Sequence, residues 1–154
     1  MKYTILLTLC LWTISGFAQV NSSMPPEANI FYNKAIEIIR PEIKKLVHTS
    51  AMHCKKEKPD AALLITYLKR ETILKKLSHA DIEGIAVLVM VQATKNTDEE
   101  LKKMVMLLRN NPGQESIDAT KALSDFKSFL AYNINLLMDK TSISQESVIN
   151  NLKQ

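Results

Sequence analysis

Four residues with real ligand chemistry fall in one short stretch: His48, Met52, His53 and Cys54. Two imidazoles with a thioether and a thiol would suit copper, or zinc with fewer sulfurs. His48 and Met52 are four apart, so one helical face presents both if the helix lasts that far. Two features count against a site. No second ligand pair follows at structural-zinc spacing, and the adjacent His53 and Cys54 side chains diverge unless the backbone turns there. The run Lys55, Lys56 and Lys58 also repels a cation. The sequence therefore predicts no bound metal and no cofactor. An envelope carrier of metal or small ligand, built on these four residues, is the alternative reading.

Nucleophilic chemistry finds less support. Cys54 with His53 or His48 can be written as a thiol–imidazole pair, yet it sits in a lysine-rich stretch that reads as a connection. No G-x-S-x-G elbow occurs, and three scattered glycines cannot cradle a phosphate. Asp98, Glu99 and Glu100 are consecutive, so they cannot share one helical direction; they read instead as the acidic first turn of a helix. His79, two residues before Asp81, reads as an exposed first-turn residue. The expected protein is not an enzyme.

Charge is distributed unevenly. Residues 19–79 balance to +5, whereas residues 80–154 balance to −2. Lys44, Lys45, Lys55, Lys56 and Lys58, near a bend at Pro41, form the candidate basic face for an unidentified protein partner of anionic character. With aromatics at 6% there is little to stack bases, so nucleic acid is not expected.

The first residues address the chain. Lys2 precedes an uncharged apolar run from Tyr3 to Ile14, and Gly16 and Ala18 stand at the −3 and −1 positions of a cleavage site before Gln19. Residues 1–18 thus read as a signal peptide, and the product is expected in the periplasm or outside the cell. Cleavage leaves 136 residues, one domain's worth, with no membrane-spanning run. Cys54 is then the one cysteine left, so no intramolecular disulfide can form. It is either buried or available for a Cys54-linked dimer.

What must position these groups is helical throughout. Residues 19–26 are polar and read as a flexible lead. Phe31, Ala35, Ile38, Ile39, Ile43, Leu46 and Val47 share one side of a helix near 27–50, which Pro41 should bend or split. Met52 to Pro59 reads as a connection, and residues 60–77 as a second helix with Leu64, Tyr67, Leu68 and Leu74 inward. Ile85 to Val91 is seven apolar residues in a row, preceded by Ser78 and Asp81 in capping-box spacing. Thr97 and Glu100 repeat that box. The spacing therefore predicts two helices over 79–109 with a turn near Lys95–Thr97, the first of them covered on all sides. After the break at Asn110-Asn111-Pro112-Gly113, a long helix over 116–140 carries Phe126, Phe129, Leu130, Asn133 and Leu137 on its inner stripe. A short terminal helix docks through Val148, Ile149 and Leu152. Nothing alternates with period two, so residues 27–154 are expected to form one all-α bundle of about five helices, mostly antiparallel.

Overall fold

The computed structural model describes residues 23–140 and 144–154, so residues 1–18, read above as a signal peptide, and residues 19–22 lie outside the described residues. Six α-helices form an all-α bundle: α1 Pro26–Ile36, α2 Pro41–Glu57, α3 Ala61–Leu68, α4 His79–Asn110, α5 Gln114–Lys140 and α6 Gln145–Lys153. A 3₁₀ turn, Thr72–Leu74, lies between α3 and α4. No strand occurs among the described residues. No described helix is long and apolar enough to cross a membrane.

Pro41 splits the first amphipathic stretch in two. It cannot donate an amide hydrogen, and it drives the preceding Arg40 into extended backbone at ψ 139°, so α2 restarts with Pro41 in its first turn. The interruption turns Ile38 outward while Ile39 goes into the core. The freed Arg40 amide donates to Leu152 O at 3.0 Å, which ties the break to α6. Two residues of the lead-in, Ser23 and Met24, contact the bundle. Asn135 donates to Ser23 O at 3.3 Å, and Met24 packs against the core.

Three expected boundaries are corrected. The stretch read as a connection from Met52 is the last turn and a half of α2, which runs to Glu57 because Ala51 and Cys54 continue its buried stripe. Lys58 then stops the helix in the left-handed region at φ 47°, its amide bonded to Cys54 O at 2.8 Å. The helix expected over 60–77 ends at Leu68. Leu74 lies six residues on, about 240° around a helix from Leu68, so the chain must turn for both to be buried.

The third correction concerns the centre. Residues 79–110 form one continuous helix of 32 residues and not two. The Ser78–Asp81 box forms as expected, with the Ser78 amide donating to Asp81 Oδ2 at 3.0 Å and the Asp81 amide donating to Ser78 Oγ at 3.2 Å. Thr97 does not cap. Its hydroxyl donates back to Ala93 O at 2.8 Å, as Thr94 does to Met90 O at 2.9 Å, so both threonines are absorbed into the helix. Asp98, Glu99 and Glu100 therefore lie in the middle of α4, with no helix start beneath them.

Every residue from Ile85 to Val91 is buried, because α1, α2, α3, α5 and α6 all pack on α4. Gly84 permits a close approach of α6 to α4. A Cβ there would lie 2.6 Å from Val148 Cγ1 on α6. Asn133, on the inner stripe of α5, is 2% exposed, and both its polar atoms are hydrogen-bonded. Its Oδ1 accepts from the Ala61 amide at 2.8 Å, and its Nδ2 donates to Phe129 O at 2.9 Å. One buried side chain thereby caps the start of α3 alongside Asp60, which accepts from the Leu63 amide at 2.8 Å.

Candidate interaction face

Helix α2 sorts the predicted ligand and lysine residues by direction. Ile43, Leu46, Val47, Ser50, Ala51 and Cys54 face the core, while Lys45, His48, Met52, Lys55 and Lys56 face solvent. His48 and Met52 do share a face, as their spacing requires, and Met52 is 70% exposed. Cys54 lies about 160° around the helix from Met52, fully buried. His53 sits between the two directions and stacks on Tyr67 of α3, with ring centroids 5.0 Å apart. The four donors diverge in this arrangement. Among the described residues, no group of three or more His, Cys, Asp or Glu side chains could hold a metal ion.

Burial also sets the chemistry of Cys54. Loss of hydration around the thiolate pushes its pKa up to about 11. A disulfide between two folded chains would need the helix to open, so the folded chain holds this thiol away from pairing. At pH 8 the thiolate fraction falls about 100-fold relative to an open cysteine, and labelling by a maleimide should slow at least that much until denaturant is added. Rapid labelling of the folded protein would contradict the burial. The linkage has a definite sign. The unfolded thiol ionises near 9.0 and the folded one near 11, so this group's contribution to stability is whole below pH 9 and is lost as the pH rises toward 11.

The five lysines divide. Lys55 grips both oxygens of Glu100 on α4 at 2.6 and 2.7 Å. Lys44 lies 3.9 Å from Glu37, and Lys58 sits 6.0 Å over the Phe126 ring. Lys45 and Lys56 make no ion pair among the described residues, and both are exposed. They are eleven residues apart, three helical turns, with Met52 between them on the same side. The face thus has an apolar centre and two uncommitted cations, flanked by Lys44 and Lys55.

Elsewhere the titratable groups pair locally. His79 Nε2 lies 3.2 Å from Glu83 Oε1 one turn along α4, as suits an exposed first-turn residue. Asp98 meets Lys127 of α5 at 2.5 Å. Tyr32 donates to Gln92, whose amide donates to Asn96 at 2.9 Å, while Lys95 lies 5.1 Å over the Tyr32 ring. Burial first, then the charge of Glu37, raises the Tyr32 pKa.

A second surface was not legible as such in the sequence. Beyond Thr97, α4 has no buried residue, and α5 has none before Phe126. The two helices project past the core as a hairpin, leaving Val105, Met106, Leu107 and Ile117 exposed. The signal was present: five consecutive apolar residues, Met104 to Leu108, cannot all face a single partner helix.

The chain matches no protein-family model, no curated protein and no solved structure.

Proposed function

We propose that this chain is an exported, non-catalytic protein-interaction module that engages an anionic partner through the outer face of α2. Export rests on the signal-like residues 1–18, and the compartment is the periplasm or the exterior. The observation that carries the binding reading is the pairing of uncommitted Lys45 and Lys56 around exposed Met52. A flexible thioether between cations offers dispersion contact at the centre and charge attraction at the rim. Lys44 and Lys55 extend the positive field, although Lys55 is partly neutralised by Glu100.

The test uses the protein purified from an exporting bacterium, where a mass beginning at Gln19 reports cleavage. Its binding to a fluorescent poly-glutamate peptide is followed by anisotropy at ~50 and ~300 mM salt. The double variant Lys45→Glu/Lys56→Glu should bind at least about 10-fold more weakly at low salt, with the difference shrinking at high salt as screening sets in. Equal binding by variant and parent at both salt concentrations would remove α2 from the interface.

A further inference from the structure

Past Thr97, α4 leaves the core, and from Leu101 to Asn110 every residue is half-buried or exposed. Leu101, Met104 and Leu108 are the half-buried ones, so they mark the side that α5 covers. At 100° per residue, Lys102, Lys103 and Met106 point the opposite way, with Val105, Leu107 and Arg109 on the flanks. This outward side carries three cations and no acid. Lys102, Lys103 and Arg109 are all exposed and make no ion pair among the described residues. The neighbouring acids are paired or set back. Asp98 pairs with Lys127 and Glu100 with Lys55, while exposed Glu99 lies seven residues, about 10 Å, behind Met106. The further acids Glu115, Asp118 and Asp125 belong to α5, the helix behind this face.

We infer that this side of α4 docks on an anionic lipid bilayer, which it meets obliquely and tip first. Charge and shape both select that occupant. A layer of anionic headgroups complements three unpaired cations that have no acid among them. Val105, Met106 and Leu107 are 41%, 62% and 54% exposed and point 100° apart, so they span about 200° of the helix surface. A rigid partner covers a stripe of about 100°, whereas a fluid interface closes around all three. An acidic protein would therefore satisfy the cations and still leave apolar surface in water. Lys102, Lys103 and Arg109 can lay their aliphatic stems along the acyl boundary and keep their charges among the phosphates. No described helix is long and apolar enough to cross a membrane, so the contact is a shallow seat ~5–10 Å deep. The tip-first approach keeps Glu99 and the bundle in water. This surface lies on a different helix from the lysine face of α2 and holds whatever becomes of that reading.

The test mixes the purified protein with vesicles of phosphatidylcholine, alone or with about 30 mol % phosphatidylglycerol, and measures the bound fraction by flotation. Binding should require phosphatidylglycerol and weaken between ~50 and ~300 mM salt. Lys102→Gln/Lys103→Gln/Arg109→Gln should weaken it at least about 10-fold at low salt. Lys45→Gln/Lys56→Gln/Lys69→Gln removes the same net charge from other helices and should cost clearly less. Val105→Ser/Met106→Ser/Leu107→Ser should weaken binding at both salt concentrations, which charge attraction alone would not give. All nine positions are exposed, so the helical circular dichroism should stay as in the parent. The assignment is overturned by a protein that does not float with the anionic vesicles, by equal losses in the two glutamine triples, or by a serine triple that floats as the parent does. Poly-glutamate capture that the α4 glutamine triple loses, without flotation of the parent, would overturn it in favour of an acidic protein. Loss of poly-glutamate binding in the α2 variant alone has no bearing on these outcomes.

Discussion

Replacing Gly84 by valine should destabilise the fold by about 3 kcal/mol, read as a fall of roughly 10 °C in the thermal midpoint. The first added carbon would lie 2.6 Å from Val148 Cγ1, well inside contact distance. Val148 cannot swing clear, because a β-branched residue in a helix holds one rotamer and this one is 2% exposed. Helix α6 must then move off α4. Removing the obstruction with Val148→Ala in the same chain should recover about half of the loss, even though Val148→Ala alone costs stability through the cavity it leaves. Simple addition of the two losses in the double variant would mean that the close approach is not the cause.

Asp81→Ala should cost about 2–3 kcal/mol in urea unfolding, the second-largest effect expected. Asp81 is 4% exposed and accepts three hydrogen bonds: from the Ser78 amide at 3.0 Å, the Ser78 hydroxyl at 2.7 Å and Asn151 Nδ2 at 3.1 Å. Alanine removes the capping box that starts α4 and the hydrogen bond that ties Asn151 of α6 to it. Asp81→Asn retains an acceptor and should lose less. If alanine and asparagine cost the same, the hydrogen bonds are not what holds this corner. Gly84 and Asp81 act on the same docking. Val148 seats against the glycine, Asn151 is anchored by the carboxylate, and Leu152 O accepts from Arg40 at 3.0 Å.

The class of fold was legible wherever one local signal met one neighbour. Ser78 and Asp81 carry their own hydrogen bonds within four residues, and Pro41 breaks a helix whatever surrounds it. Phe126, Leu130 and Leu137 repeat at helical spacing against one partner, as do Val148, Ile149 and Leu152. The errors arose where tertiary context chose between two local options. Thr97 has the spacing of a cap, but its hydroxyl finds Ala93 O in an unbroken helix, and nothing near it supplies the glycine or proline that would end one. Leu68 and Leu74 look like one stripe until the core requires both inward. The alternative ligand cluster is spread apart for a related reason. His48, Met52, His53 and Cys54 are neighbours in sequence, but a helix at 100° per residue spreads neighbours around its circumference. Lys45 and Lys56, eleven apart and less conspicuous on the page of letters, are the ones the helix brings to one side.

The central position of α4 also fixes an order of events. The principal partners of α1, α2 and α3 are α4 and α5 and not one another. Residues 23–78 emerge from synthesis first, yet the surface that would cover Phe31, Val47 and Leu64 is made only when residues 79–97 follow. Until then the leading half has no lasting place to bury its apolar side chains. Under the proposed export, a chain threaded end-first across a membrane gains from this arrangement, because its first half cannot collapse into a plug before its middle has been delivered.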